Sequence, residues 1–214
     1  MTHRKAFVII GSGDFAREVC QWIRNADPSN DKFEIKGYLK IKNEDNDLLM
    51  SRSGYLCLGI VSNYLLKVGE KYLMGISSPE YKKDTIQKYE LKSTDFSSYI
   101  HPSALISPSA SIGNGCIFCP YTIVSSQAKV EDFVSVNCFS GIGHDSSIGQ
   151  YATLSGHVDI TGNVEVGEGV FIGSGVKTRP GIKIGSNSRI GIGSILTSNI
   201  RENSSTYTHP AKKL

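Results

Sequence analysis

The sequence of 214 residues lacks the features that mark several classes of protein. It has five cysteines, an odd number that does not fit a disulfide framework. It has no long run of Lys or Arg, and its formal charge of +3 gives no argument for a nucleic-acid partner. The apolar run near the N-terminus, of about five residues, is too short for a signal-peptide core or a membrane span. These features predict a cytoplasmic protein without a membrane span.

Glycine, in contrast, is abundant, with 22 residues, while hydrophobic residues make up a modest 39% of the chain. This combination predicts a fold whose core takes few large side chains and whose chain makes many tight turns.

The first half of the chain alternates between strand and helix patterns. Apolar runs predict strands, whereas Val19, Trp22 and Ile23 have helical spacing. We expect strands at 6–10, 33–39 and 54–60, a helix over REVCQWIRNA, a loop over 40–53, a helix that begins at Ser62, and a helix over 78–89. This alternation predicts a parallel sheet in a Rossmann-like α/β domain, residues 1–95.

The second half changes period. Every sixth residue from Ile100 to Leu196 is apolar except Thr178, and the residue four places later is mostly small. Six residues do not return to the same face of an α-helix, whereas a hexapeptide repeat is typical of a parallel β-helix. We therefore predict that residues 96–214 form an all-β left-handed parallel β-helix, with about eighteen residues per coil. Such a solenoid covers its bare outer faces by forming a homotrimer.

Within this repeat, the segment GIGHDSSIG places His144 beside Asp145. His144 lies two residues beyond inward-facing Ile142, so it points outward, and its neighbours eighteen residues away are Ser126 and Gly162. An imidazole can take a proton from a nucleophile, and an adjacent carboxylate can hold its tautomer. A direct bond between the two side chains requires a turn, because adjacent strand residues point to opposite sides. The alternative is a pair of solvated surface residues.

Backbone N–H groups at a glycine-rich turn can bind the oxyanion of a tetrahedral intermediate. Gly143 and Gly162 are the candidates beside the histidine.

A second motif, GSGDFA, lies between the first predicted strand and the first helix. It presents backbone N–H groups and a helix N-terminus to phosphate. NAD binding is disfavoured because Lys40 stands where a dinucleotide site expects an acidic residue. A nucleotide-sugar diphosphate and a purely structural turn remain. The substrate-binding candidates are Gly11, Ser12, Gly13, Asp14, Phe15, Lys40 and Gly59.

Several segments together resemble the bacterial sugar acyltransferases of the NeuD, PglD and PerB type. They are VIIGSGDFAREV, YIHPSALISPSASIG, VNCFSGIGHDSSIG, DITGNVEVGEGVFIGSG and HPAKKL, in this order over nearly the whole chain. The resemblance implies a trimer that moves an acetyl group from acetyl-CoA to a sugar, often to the 4-amino group of a nucleotide-linked deoxysugar.

The resemblance also implies roles for individual residues. His144 matches the proposed general base, Asp145 its acidic neighbour, and Asn137 a residue of the acceptor pocket. Positions expected to contact acetyl-CoA are Thr153, Gly162, Gly173, Ser174, Gly191 and Ile192, and Lys212 is a candidate for the CoA phosphates. The chain departs from many relatives at Phe15 and Lys40, where they carry His and Asp. It also departs at Thr153, where some carry His, and it has a different histidine nearby, His157.

No metal site is expected. Cys116 and Cys119 form a C-x-x-C pair, but the repeat turns them in different directions and no second pair exists. His101, His144, His157 and His209 lack the close pair of a zinc carbonic anhydrase.

The sequence therefore predicts a cytoplasmic homotrimeric N-acetyltransferase that uses acetyl-CoA as co-substrate. Its acceptor would be the 4-amino group of a dTDP-, UDP- or GDP-linked 4-amino-4,6-dideoxy sugar for O-antigen, lipopolysaccharide or capsule synthesis. Transfer would be direct, in a site at the trimer interface. Two alternatives remain open: O-acetylation of a sugar hydroxyl, for example on sialic acid, and a non-catalytic trimeric binding or scaffold protein.

Overall fold

The computed structural model describes residues 4–208, which form an α/β part followed by a coil of short strands. The α/β part contains four strands and three helices, and all its strand pairs are parallel, in the order β3-β2-β1-β4. Its elements are β1 Lys5–Ile10, α1 Asp14–Ala26, β2 Phe33–Lys40, α2 Leu48–Arg52, β3 Cys57–Ile60, β4 Glu70–Met74 and α3 Pro79–Lys88, with 3-10 turns at Val61–Asn63 and Ser93–Asp95. The assignment of this part as Rossmann-like stays a prediction.

The predicted helix from Ser62 is wrong. Only the 3-10 turn Val61–Asn63 forms there, and the chain then enters strand β4, which pairs with β1. Gly69 has a φ of +86°, which ends any helix, and the apolar residues before it, such as Leu65, are exposed rather than gathered on a buried face. The predicted loop over 40–53 also contains the short helix α2, because Met50 is buried in the core.

The coil consists of two-residue strands that pass through three parallel sheets in turn, here called faces I, II and III. Its first strand begins at Tyr99, after the last 3-10 turn of the α/β part. Face I contains β5 Tyr99–Ile100, β8 Ile117–Phe118, β11 Ser135–Val136, β14 Thr153–Leu154, β17 Phe171–Ile172, β20 Arg189–Ile190 and β22 Ser205–Thr206. Face II contains β6 Leu105–Ile106, β9 Ile123–Val124, β12 Gly141–Ile142, β15 Asp159–Ile160, β18 Lys177–Thr178 and β21 Ile195–Leu196. Face III contains β7 Ser111–Ile112, β10 Lys129–Val130, β13 Ser147–Ile148, β16 Glu165–Val166 and β19 Lys183–Ile184.

The hexapeptide register is confirmed. Strands up to β21 pair with a shift of eighteen residues, as between Ile142 and Ile160, and the aliphatic column is buried from Phe118 onward. The last pair differs, because Arg189 of β20 lies opposite Ser205 of β22. Thr178, the one polar residue in this column, is also buried, and its hydroxyl accepts the Thr161 N–H at 3.0 Å. The structure is thus a parallel β-helix; its left-handed sense stays a prediction.

From Gly115 to Gly193, each turn between faces places one residue in the left-handed region, three residues after the inward residue of the repeat. Along the edge between faces II and III these residues are Gln127, Asp145, Asn163 and Gly181, with φ between 57° and 74°. Glycine, asparagine and aspartate tolerate this conformation better than other residues.

The α/β part packs on face I. The outward side chains of Ile117, Ser135 and Thr153 on that face are therefore buried. At one border of face I, Phe133 stacks on Tyr151 with ring centroids 5.4 Å apart, and Phe96 of the preceding segment packs edge-on against Phe133. Face II instead carries exposed apolar side chains. None of the helices within residues 4–208 has the length and apolar character needed to cross a bilayer.

Candidate functional site

His144 and Asp145 lie together on the edge between faces II and III, between β12 and β13. His144 Nδ1 is 2.8 Å from Asp145 Oδ2, and the two side chains are 59% and 52% exposed. The required turn is present, because Asp145 has a φ of 59° and so swings its carboxylate to the side of the imidazole.

The backbone around this pair is fixed by the neighbouring coils. The Asp145 N–H donates to the Ser126 carbonyl at 3.0 Å, and the His144 carbonyl accepts from the Asn163 N–H at 2.9 Å. Asp145 is therefore held by the preceding coil and His144 by the following coil, although their side chains face solvent.

The imidazole lies against Gly162, where the register predicts it. A Cβ built on Gly162 would meet His144 Nε2 first, and it would lie 2.6 Å from Cε1 and 3.0 Å from Cδ2. Carbon atoms in contact are ordinarily about 3.5 to 4.0 Å apart, so a side chain at this position would displace the ring.

This geometry defines the chemistry of the pair. An ionised carboxylate only accepts hydrogen bonds, so Nδ1 carries the proton that Asp145 accepts. Nε2 is then left with a lone pair and can take a proton from a bound nucleophile. Of the two oxyanion candidates, the Gly143 N–H already donates to the Ile160 carbonyl at 2.7 Å. No acceptor within residues 4–208 takes the Gly162 N–H.

A second feature is a cleft at the carboxyl ends of β1, β2 and β4. Its volume is about 460 Å³. Its lining residues are Gly11, Ser12, Gly13, Asp14, Phe15, Ile41, Asp45, Asn46, Gly75, Ile76, Ser77, Ser78 and Tyr81. Ligands of open α/β sheets bind at this end of the strands.

Two glycines shape the floor of this cleft. Gly11 has a φ of +117°, and a Cβ there would lie 3.0 Å from the Gly75 carbonyl oxygen. Gly13 is the N-cap of α1, and a Cβ on it would meet nothing within 4 Å. The α1 N-terminus therefore faces open space in the cleft, the arrangement that binds phosphate in many α/β proteins.

The predicted substrate-binding residues do not all meet in the cleft. Gly11 to Phe15 line it, whereas Lys40, Gly59 and Asn137 do not. Lys40 Nζ donates to the Asn43 carbonyl at 2.7 Å, and Gly59 lies in β3. Asn137 lies on the edge between faces I and II, where its Oδ1 accepts from the Cys119 thiol at 3.4 Å.

Sequence reasoning missed the other walls of the cleft. Asp45 lines it five residues beyond Lys40, and its Oδ2 accepts the N–H groups of Ile41 and Lys42, both at 2.9 Å. The run KNEDND, rich in Asn and Asp, is the signal for such a turn. Ser77 and Ser78 follow β4, the strand that was itself not predicted.

The residues predicted to contact acetyl-CoA also do not lie in one place. Gly173, Ser174, Gly191 and Ile192 lie along the edge between faces I and II, where Ser174 and Ile192 are exposed. Gly162 lies under His144 on the next edge. Lys212 lies outside the described residues.

Thr153 is in a different position, on face I beneath the α/β part. It is only 1% exposed, and its hydroxyl donates to the Ser77 carbonyl at 2.6 Å. Any part that Thr153 plays in a cofactor site is therefore indirect.

Within residues 4–208, no group of three or more His, Cys, Asp and Glu side chains is placed to hold a metal ion. Cys116 and Cys119 are both buried; the Cys116 thiol donates to the Glu131 carbonyl at 3.0 Å. The ring of His157 stacks on Phe139 at 5.0 Å, and His209 lies outside the described residues.

No family model matches the chain. Solved structures of similar fold include the acetyltransferase domain of PglB from Neisseria gonorrhoeae, at 21% identity and a TM-score of 0.79, over 99% of this chain and 100% of that one. PerB from Caulobacter crescentus, solved with CoA and GDP-perosamine, matches at 22% identity and 0.81, over 97% and 96%. WeeI from Acinetobacter baumannii matches at 19% identity and 0.77, over 98% and 100%. At these identities the likeness establishes the fold, in both parts of the chain.

Proposed function

We propose that this protein is an acetyl-CoA-dependent N-acetyltransferase that acts on the 4-amino group of a nucleotide-linked 4-amino-4,6-dideoxy sugar. The observation that carries this proposal is the His144–Asp145 pair, exposed on a rigid edge with Nε2 free to act as a base. The similar folds of PerB, solved with CoA and GDP-perosamine, and of the PglB acetyltransferase domain, solved with acetyl-CoA, support it.

The chemistry needs a single base. The sugar ammonium has no lone pair, so it first loses one proton to solvent and becomes a neutral amine. As the amine attacks the thioester carbonyl and the C–N bond forms, His144 Nε2 takes a second proton from the nitrogen, and Asp145 stabilises the resulting imidazolium. When the C–S bond breaks, the imidazolium gives this proton to the departing CoA thiolate, which leaves a neutral amide and free CoA thiol. Gly162 N–H is the donor available to the oxyanion.

The cleft of the α/β part is the proposed site for the nucleotide. The strand order β3-β2-β1-β4 supports a Rossmann-like assignment, because the classic dinucleotide fold begins with this order. The diphosphate would lie at the N-terminus of α1, over Gly11 and Gly13. The candidate bases are uracil, thymine and guanine.

A homotrimer accounts for the positions of the remaining residues. His144 and two glycines of the predicted acetyl-CoA site, Gly173 and Gly191, lie on different edges of one coil, separated by face II. A neighbouring copy that packs against face II would bring its edge with the predicted acetyl-CoA residues next to the edge of the first copy that carries His144. Leu105, Ile123 and Ile195 on face II are exposed, which supports such an apolar contact.

An acetyl-transfer assay tests the proposal. The purified protein is incubated with acetyl-CoA and with dTDP-, UDP- and GDP-linked 4-amino sugars, and free CoA thiol and product mass are measured. We expect transfer to at least one amine and none to the matching 4-hydroxy sugars. Transfer to hydroxyls alone would indicate an O-acetyltransferase, and binding of the ligands without transfer a non-catalytic protein.

A further inference from the structure

Lys82, on helix α3, has a fully buried amine at the junction of the two parts of the chain. Its Nζ is surrounded by four oxygen atoms of the coil. They are the Phe133 carbonyl at 2.8 Å, Thr153 Oγ1 at 2.9 Å, the Ala152 carbonyl at 3.1 Å and Ser135 Oγ at 3.3 Å. Ser135 and Thr153 belong to β11 and β14, two paired rungs of face I, and Phe133 and Ala152 lie in the turns just before these strands.

Packing alone does not explain an ammonium group here. Within residues 4–208 no carboxylate forms an ion pair with Lys82, and burial lowers the pKa of its ammonium group to about 7. A buried cation without a counter-ion is unfavourable, and a methionine of similar length would fill the same volume without that cost. What the ammonium adds is a set of donors that point at fixed oxygen atoms.

The Thr153 hydroxyl extends these contacts to the cleft. The Ser77 carbonyl oxygen only accepts, so the Thr153 hydroxyl donates its proton to it, at 2.6 Å. Thr153 Oγ1 in turn accepts from the Lys82 amine, which has N–H donors in both its charged and its neutral form. Ser77 and Ser78 form a wall of the cleft, and Ser78 also caps helix α3, with its hydroxyl accepting from the Tyr81 N–H.

We propose that Lys82 and Thr153 form a polar bridge that fixes the Ser77–Ser78 wall of the cleft against face I, and that Lys82 is thereby a positioning residue for the nucleotide. The proposal rests on the proposed function, because it takes a nucleoside diphosphate as the occupant of the cleft. In this arrangement Thr153 acts on the nucleotide through Ser77 and does not contact the acetyl donor.

Two substitutions of Thr153 test the bridge in the full-length protein. Thr153→Val removes the hydroxyl with little change of shape, whereas Thr153→Ser retains it. Affinity for dTDP, UDP and GDP is measured by calorimetry, and the KM values for nucleotide sugar and acetyl-CoA by steady-state kinetics. We expect Thr153→Val to weaken binding of the preferred nucleotide by about tenfold, the factor of one net hydrogen bond. Thr153→Ser should stay within about twofold, and the KM for acetyl-CoA should not change.

Lys82→Met should weaken nucleotide binding in the same direction. Lys83→Met is its control, because Lys83 is the next residue of α3 and pairs with Glu168 at the surface. If Lys82→Met does not fold, the comparison of Thr153→Val with Thr153→Ser still tests the polar bridge. Unchanged nucleotide affinity in Thr153→Val, or an effect on the KM for acetyl-CoA instead, would contradict the polar bridge and leave the proposed function intact. A wild-type protein that binds none of the three nucleotides contradicts the proposed function as well.

Discussion

The substitution Gly162→Ala tests whether the placement of the His144 ring matters for catalysis. The added methyl group would lie 2.6 Å from Cε1 of the imidazole, whereas carbon atoms in contact are ordinarily about 3.5 to 4.0 Å apart. The three nearest atoms to this methyl all belong to the ring, and Gly162 has no positive φ. The ring must therefore recede by about 1 Å while the backbone stays in place.

A displacement of this size has a large expected effect on rate. Misplacement of a reacting group by about 1 Å can cost about 100-fold in rate, or about 2.7 kcal/mol of transition-state stabilisation. We expect kcat of Gly162→Ala to fall by about this factor, with KM values for both substrates little changed. The assay is release of free CoA thiol with the preferred amino sugar, alongside a urea unfolding curve.

Gly156→Ala is the matched control. Gly156 occupies the same place in its hexapeptide, two residues after buried Leu154, but a Cβ there meets only the Cys138 carbonyl oxygen, at an ordinary 3.5 Å. Its kcat should stay within about twofold of wild type. An unchanged kcat in Gly162→Ala, or a loss of activity that merely follows unfolding, would refute the reasoning about the ring.

Three further predictions concern the base, the coil and the junction. Asp145→Asn keeps a residue that tolerates a positive φ and that can still accept from Nδ1, but it removes the negative charge that stabilises the imidazolium. The kcat should fall by roughly 10-fold to 100-fold in the thiol-release assay, and an undiminished kcat would exclude the charge of the carboxylate from the mechanism. Ile160→Ala should lower the free energy of unfolding in urea by about 2 to 5 kcal/mol, because Ile160 is 1% exposed in the aliphatic column; a loss below about 1 kcal/mol would contradict its place in the core. Burial lowers the pKa of Lys82 from 10.5 to about 7, so between pH 7 and pH 8.5 the unfolded state binds more protons and stability should rise with pH. In Lys82→Met the free energy of unfolding should rise less steeply with pH, by up to about 1.4 kcal/mol per pH unit. Equal slopes of unfolding free energy against pH in the variant and the wild type would show that Lys82 does not titrate in this range.

The coil could be predicted from the sequence because its contacts repeat. From β5 to β21 each rung pairs with the rung eighteen residues away, so the burial of Ile142 and the outward position of His144 follow from the phase of the repeat alone. The same phase accounts for the place of Gly162 beneath the imidazole.

The α/β part could be predicted only in outline. Strand β4 was mistaken for part of a helix because a short apolar run has no clear period, and the serines of the cleft wall that follow it were missed with it. The contacts of Lys82 join residues up to 71 positions apart in the chain, and no local sequence pattern predicts them. In a sequence, a lysine on a helix is ordinarily a solvated residue.

The kcat of the His144→Ala variant tests the central claim most directly. It is measured with acetyl-CoA and the preferred amino sugar, after the variant has been shown to unfold and to bind CoA as wild type does. If His144 is the general base, kcat should fall by at least about 100-fold, the lower end of what a general base contributes. A kcat close to wild type, in a protein that transfers acetyl groups, would contradict it.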